Sequence, residues 1–351
     1  MSVFRNPSAL ALGLAVALAA PAARGQGAAA SDPVLDSLVQ EALARNPDLL
    51  AAAEEARAAR AQPAQAAALP DPMIALTYVN DAWRPTLGTR EMTTLGVMAS
   101  QDLPWPGKRA LRAAIAERAA GQVAQQLERA RLGVVASLRR AYYGLLQARA
   151  LAELTREQAG LWRQMEGVAR ARYAVGQGNQ QDVLRTQVEV TRVDQALAEQ
   201  ESEARIRMAE INRLLDRPVH SPLDTPAALE AIGSAPEAGA ELERARAVSP
   251  EVAAARLEVE RARLAVSLAK KDYRPDLSVQ AGYMNRGGLD PMWQVGVGVT
   301  LPLNRKRRAS AVAEAEALES AARARASSVE LQLRLRTEER LAQLEATQKI
   351  T

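Results

Sequence analysis

The feature that most constrains this chain is that much of it is written twice. The run Pro70-Asp71-Pro72-Met73-Ile74-Ala75-Leu76-Thr77-Tyr78-Val79-Asn80 returns without a gap as Pro275-Asp276-Leu277-Ser278-Val279-Gln280-Ala281-Gly282-Tyr283-Met284-Asn285, with Pro, Asp, Tyr and Asn unchanged. Upstream, Asn46-Pro47-Asp48 is echoed by Ser249-Pro250-Glu251. Each is a capping residue followed by proline at the first helical position, and each opens an Ala/Glu/Arg-rich helix. Downstream, Leu103-Pro104-Trp105-Pro106-Gly107-Lys108-Arg109 is echoed by Leu301-Pro302-Leu303-Asn304-Arg305-Lys306-Arg307. A spacing of roughly two hundred residues lies far beyond solenoid periods of about 20 to 50. It marks a duplicated, domain-sized unit that reads short helix, helix, strand, strand, long helix. Two such copies are expected to hold equivalent places in one interleaved body.

The strand segments alternate. Trp293, Val295, Val297, Val299 and Leu301 point one way, while Gln294, Gly296, Gly298 and Thr300 point the other. Leu277, Val279, Ala281 and Tyr283 likewise oppose Ser278, Gln280 and Gly282, and in the first copy Leu95, Val97 and Ala99 face as Ile74, Leu76 and Tyr78 do. The β-hairpins are expected over 70–103 and 275–303. Each of the four strands is about the 9 to 11 residues that cross a bilayer at a tilt, with an apolar outer face and a small or polar inner one. Tyr78, Trp105, Tyr273, Tyr283 and Trp293 fall where interfacial aromatic belts belong. A soluble half-buried sheet would instead need covering helices. Four strands cannot close a barrel, and open edges are not tolerated in lipid. Closure by a homotrimer makes a twelve-stranded barrel, an even number within the outer-membrane range.

The remaining segments are helical. From Gly107 to about Tyr173 no proline occurs, which predicts one helix on the order of 100 Å long. Leu127, Val134, Leu138 and Leu145 form its seam, and Val183, Val190, Leu197, Ala204 and Ile211 recur at sevens on a return helix from Gln180 to Leu215. Between them Val175-Gly176-Gln177-Gly178-Asn179-Gln180-Gln181-Asp182 supplies two glycines for the reversal and Asn or Asp to cap the next helix. The α-hairpin thus covers 107–215 and the linker 216–235. The second copy begins at 236, with helices over 238–271 and a long helix over 305–351. Its long helix stops at Thr351, short of the roughly 67 residues of the first copy, and its return helix is missing. The expectation is of a truncated product or a fragment.

Arg5, the apolar Ala9 to Ala20 and the small-residue exit Pro21-Ala22-Ala23-Arg24-Gly25 make 1–25 a secretory signal, too short to span a bilayer. The chain holds no cysteine, which excludes disulfides, thiolate metal sites and a Cys nucleophile. Its net charge of +4 comes from arginines interspersed with glutamates along helices, not from a basic patch with stacking aromatics, so nucleic acid is excluded as a partner. The single histidine, His220, lies in a proline-flanked linker, leaving no base for a nucleophile and no zinc cluster. No enzyme activity, cofactor or firm metal site is expected. Five of eight methionines lie in the hairpin segments, and the alternation assigns Met73, Met92, Met98, Met284 and Met292 to the inner face. Thioethers suit soft cations such as Cu(I), although Met also serves as flexible filler. The basic run Arg305-Lys306-Arg307-Arg308, with Lys108-Arg109, reads as snorkelling charge at a bilayer interface.

The duplicated β-hairpin and α-hairpin resemble the TolC-type outer-membrane efflux channels. The matching motifs are Pro70-Asp71-Pro72, the strand exit from Leu103 to Arg109, the tip from Tyr173 through Leu184, and Asn212-Arg213-Leu214-Leu215 before Asp216-Arg217-Pro218. The resemblance spans essentially the whole mature chain and is nearest in pattern to the heavy-metal branch, the CzcC- and CusC-like channels. It implies a trimeric β-barrel in the outer membrane continued by a periplasmic α-barrel. It also implies a duct for metal ions or small toxic compounds, served by a periplasmic adaptor and an inner-membrane pump of the RND type. By the same resemblance, tip residues Val175, Gly176, Gln177, Gly178, Asn179 and Asp182 would meet the adaptor. Met73, Met98, Met284 and Met292 would face the lumen. The alternatives are a periplasmic coiled-coil adaptor or scaffold, which should carry one helical hairpin between soluble β-domains, and a nonfunctional remnant of a channel.

Overall fold

The computed structural model describes residues 32–81, 83–87, 90–224 and 238–350, so the signal segment 1–25 and much of the linker 216–235 lie outside the described residues. In chain order the elements are α1 (Pro33–Arg45), α2 (Pro47–Ala67), β1 (Met73–Val79), β2 (Thr94–Leu103), α3 (Lys108–Ala174), α4 (Gln180–Leu214), α5 (Ala238–Val248), α6 (Pro250–Lys271), β3 (Asp276–Arg286), β4 (Leu289–Thr300) and α7 (Arg305–Ile350). The architecture is mainly helical, with one antiparallel sheet in the order β1-β2-β3-β4.

Caps set the helix boundaries. Asp32 accepts from the N–H groups of Val34 at 2.9 Å and Leu35 at 3.3 Å, with Pro33 at the first helical position. Asn46 serves two helices at once. Its N–H donates to Ala42 at the end of α1, its Oδ1 accepts from the Leu49 N–H at the start of α2, and its Nδ2 reaches the Leu214 carbonyl at 3.0 Å. A buried amide with both ends satisfied is stabilising, whereas an aliphatic residue there would take the side-chain acceptor from the Leu49 N–H and the donor from the Leu214 carbonyl.

The core lies where α1, the middle of α3 and the end of α4 meet. Leu35, Leu38, Val39 and Ala42 pack with Val134, Leu138, Ala141, Leu145, Leu146, Ile211 and Leu214. Within this core the Tyr142 hydroxyl donates to the Asp32 carboxylate. Burial works against the charged Asp32, but the Tyr142 hydroxyl and two helix N–H groups outweigh it and hold the carboxyl below its usual 3.8. Burial, and then the bond to Asp32, pushes the Tyr142 phenol up.

The segment after α4 is tied back by the motif that precedes it. Asn212 Nδ2 donates to the carbonyls of Val219 and Ser221 at 3.0 and 2.9 Å, Asp216 turns through a left-handed φ of 55°, and Arg217 forks onto Glu41 of α1.

The α3 seam predicted at Leu127, Val134, Leu138 and Leu145 is buried, and on α4 Ile211 is buried while Val183, Val190, Leu197 and Ala204 are half-buried. Along its length α3 packs on both α2 and α6, and α7 packs on α6 and α5. Glu251 of α6 joins Arg129 of α3 at 3.0 Å and Arg336 of α7. The α7 helix has 46 residues against 67 in α3.

The strands depart from expectation in one respect. β1 has only seven residues, while β2, β3 and β4 have 10, 11 and 12. Beyond Val79 the chain folds into a polar loop that withdraws it from the ladder. Thr86 donates to Asn80 Oδ1 at 2.9 Å, Asn80 donates to the Arg84 carbonyl at 3.0 Å, and the buried Thr93 donates to Asp81 at 2.7 Å.

Candidate functional site

The sheet has two unlike faces, and its register aligns each of them across the strands. On one face Ile74, Ala99, Ala281 and Val295 form a row, and Leu76, Val97, Tyr283 and Trp293 form the next. Ile74, Leu76, Trp293 and Val295 are 72, 79, 77 and 69% exposed. Helices pack on helices and strands on strands, so no described helix covers this apolar face. A contiguous bare apolar patch of this kind marks contact with lipid or another chain.

The opposite face carries the rows Met73-Ser100-Gln280-Gly296, Ala75-Met98-Gly282-Gln294 and Thr77-Gly96-Met284-Met292. Met284 and Met292 are therefore directly opposed, and Gln294 Nε2 lies 4.0 Å from the Met98 sulfur. At Gly96 a Cβ would fall 2.8 Å from Thr77 Oγ1 and 3.0 Å from Met284 Cγ, so only glycine lets those side chains close over the strand. Met92 does not join this face. It sits in a turn before β2, where the Thr93 N–H bonds to the Arg90 carbonyl and the two-residue period has not begun.

Where the sheet meets the helices, the two repeats are locked together by a charge. Lys108 Nζ, on a side chain only 3% exposed, donates to both Asp276 oxygens at 3.0 and 3.1 Å and to the Arg274 carbonyl at 3.2 Å, with Asp272 at 3.3 Å. The Trp105 N–H donates to the same Asp276 at 2.8 Å. Lys108 is thus no snorkelling surface charge. Desolvation of an ammonium is tolerable here because two carboxylates and a carbonyl replace its water. The strand exit of the first repeat supplies the base, and the Pro-Asp pair of the second supplies the acid.

At the other end of α3 the reversal is built from backbone geometry. Gly176 turns through φ +74°, its N–H donates to the Tyr173 carbonyl at 3.0 Å, and the Gln177 N–H donates to the Arg172 carbonyl at 2.9 Å. These two bonds form a Schellman cap, which favours glycine at the left-handed position. Asn179 then caps α4 by accepting from the Asp182 N–H at 2.8 Å. Every residue from Val175 to Asp182 is exposed. Behind the tip, Arg163 pairs with Asp194 at 2.6 Å and Arg156 with Glu201 at 3.0 Å, holding the two helices in step. Glycine spacing at the tip and alternation on the sheet are legible in the sequence. The Lys108 joint, the double cap at Asn46 and the Arg217–Glu41 fork are not, although the repetition of Pro-Asp and of Lys-Arg is a signal for the first.

The family model for the outer membrane efflux protein matches residues 38–216 and 242–349. The chain belongs to the outer membrane efflux protein family. No curated protein matches the sequence. Among solved structures, this efflux protein is similar to the outer-membrane channel OprN, at 21% identity and a TM-score of 0.72 over 91% of this chain and 75% of that one. It is also similar to CusC, at 17% identity and a TM-score of 0.70 over 90% and 76%. VceC from Vibrio cholerae aligns at 20% identity and a TM-score of 0.69 over 85% and 75%. These likenesses establish the fold of outer-membrane channels. The family is one of transport proteins, and no described helix of this member is long and apolar enough to cross a membrane.

Proposed function

We propose that this efflux protein is the channel subunit of a tripartite export system, a passive outer-membrane duct built as a homotrimer and energised by a partner pump. The observation that carries the reading is the four-stranded sheet with a bare apolar face and with β1 and β4 unpaired at its edges. Lipid tolerates neither open edges nor isolated polar backbone, so other copies must supply the missing pairs. Three copies give twelve strands, and the apolar face then meets lipid while the face of Met73, Met98, Met284 and Met292 lines the lumen.

The exposed tip, at Val175, Gly176, Gln177, Gly178, Asn179 and Asp182, is the contact for a periplasmic adaptor, through which an inner-membrane pump of the RND type is recruited. Its small residues and capped backbone offer a rigid, close-approach surface. The substrates are metal ions or small toxic compounds. The opposed Met284 and Met292 support soft cations, because paired thioethers bind Cu(I) or Ag(I) weakly enough to release them.

The test is expression in cells lacking their own channel, together with a pump and adaptor. Detergent-resistant trimers in the outer-membrane fraction and restored export are expected, and purely soluble monomers would refute the channel. Copper and silver tolerance unchanged by Met98→Leu and Met284→Leu would remove the metal assignment alone.

A further inference from the structure

The two repeats make the same joints, and one joint is complete within the protomer while its twin is only half made. Arg109 donates to the Ala67 carbonyl at 2.7 Å, and Arg308 donates to the Asp272 carbonyl at 2.8 Å. Ala67 stands three residues before Pro70 and Asp272 three before Pro275, so they are the same position of the repeat. Arg109 and Arg308 are therefore equivalent, and so are the residues that precede them, Lys108 and Arg307. Compared as bare motifs, the copies set Lys108 against Lys306. The second strand exit is longer by one residue.

Lys108 is occupied by Asp276, which begins the neighbouring strand β3. The repeat equivalent of Asp276 is Asp71, just before β1, and the equivalent of Lys108 is Arg307, just after β4. Neither side chain has a hydrogen bond or ion pair among the described residues, and both are exposed. They cannot meet within one protomer, because β1 and β4 are the two edges of the sheet, about 14 Å apart at the usual strand spacing. They fall together where β4 of one copy lies beside β1 of the next, as β2 lies beside β3.

The repeat also specifies the register of that seam. Matching Pro70 to Pro275 and Leu103 to Leu301 converts the β1–β2 pair Ile74↔Ala99 into Val279↔Val297, which is the pairing observed between β3 and β4. The same mapping carries the β2–β3 pairs Gln101↔Val279 and Ala99↔Ala281 into Val299↔Ile74 and Val297↔Leu76. All four of these last side chains lie on the bare apolar face, so the derived register keeps that face continuous. A slip of one residue would break it.

We propose that, where the channel reading sets β4 of one copy beside β1 of the next, Asp71 of that next copy seats on Arg307 and locks the seam in the register Val299↔Ile74 and Val297↔Leu76. The inference rests on the channel reading and supplies its missing contact, with a second copy of this chain as the partner. Opposite charges unsatisfied at the two edges give the association a direction, head to tail, which closes into a ring.

The absence of cysteine allows a direct test in the full chain. Val299→Cys with Ile74→Cys, and Val297→Cys with Leu76→Cys, place sulfurs on directly opposed residues. After mild oxidation of outer membranes both pairs are expected to give covalent dimers and trimers on a denaturing gel, with about fivefold less from the slipped pair Val299→Cys with Leu76→Cys. In parallel, Asp71→Arg and Arg307→Asp should each lower the temperature at which detergent-resistant trimers dissociate, and the double exchange should restore it. Trimers that cross-link best in the slipped register, or that are not restored by the exchange, would overturn this seam and leave the channel standing. Outer membranes containing no oligomer at all would overturn the channel reading and the seam with it.

Discussion

Substituting Asp276 by asparagine tests the joint at the base of the sheet. The replacement keeps an oxygen for the Trp105 N–H and removes only the charge opposite Lys108. At about 3 Å and an effective dielectric near 20, the gross attraction is roughly 5 kcal/mol. Two facts reduce the net cost. Asp276 is 41% exposed, and Asp272 remains at 3.3 Å from the ammonium. Loss of one partner from a fully buried pair costs about 3 to 5 kcal/mol, so about 2 kcal/mol is expected here. Asp272→Asn alone should cost well under ~1 kcal/mol, since its carboxylate is half exposed. The two together should cost more than their sum, because the buried ammonium then has no anion at all. In a Lys108→Met background the Asp276→Asn substitution should become nearly neutral. The measurement is the denaturant midpoint of the detergent-solubilised chain, followed by tryptophan fluorescence, around the full cycle. An Asp276→Asn cost that is unchanged when Lys108 is methionine would refute the joint.

Gly176→Val forces a branched residue through φ +74° and should destabilise the tip by about 1 to 2 kcal/mol. Faster amide exchange confined to 171–182 and weaker adaptor cross-linking are its signatures. Gly96→Val places new atoms against Thr77 Oγ1 and Met284 Cγ, and lower yields of assembled protein are expected, partly recovered by Met284→Ala. For Tyr142→Phe the pH dependence is the readout. The Asp32 carboxyl is held below its usual 3.8, so its stabilisation is complete above that value and is lost as pH falls through the folded-state value. The wild type should exceed Tyr142→Phe by about 1 kcal/mol at neutral pH, and acid titration of the unfolding midpoint should show the difference closing below about pH 4.

Much of this fold is legible because its signals are local and repeated. Alternation from Trp293 to Leu301 needs no partner to be read, and glycines at 176 and 178 announce a reversal wherever the hairpin lies. What escapes is contact between distant segments. Lys108 and Asp276 stand 168 residues apart. In one dimension Lys108 is merely a basic residue after a strand, for which an interfacial position is the ordinary reading. Its burial follows only once the β2–β3 register sets Leu103 against Leu277 and brings Asp276 beneath it. Met92 departs for the opposite reason: the two-residue alternation does not carry past the point where the Arg90–Thr93 turn ends the ladder. The short β1 has the same origin, since Asn80, Thr86 and Thr93 recruit one another only through a folded loop.

The Lys108–Asp276 joint also gives a physical reason for the duplication. Within each copy the acid of Pro-Asp stands at the start of its hairpin and the base just after its end, on adjacent strands, yet Lys108 takes Asp276 of the next repeat and leaves Asp71 of its own exposed. In the joint that forms, the acid meets the base of the repeat before it in the sheet. A single repeat is therefore unsatisfied at both edges, and two repeats in tandem bury one base while leaving Asp71 and Arg307 open. Adding further repeats in a line never removes that last unsatisfied pair; closing the line into a ring does. The pattern of residues that makes the inner joint stable is, by the same electrostatics, a preference for ring closure over an open sheet.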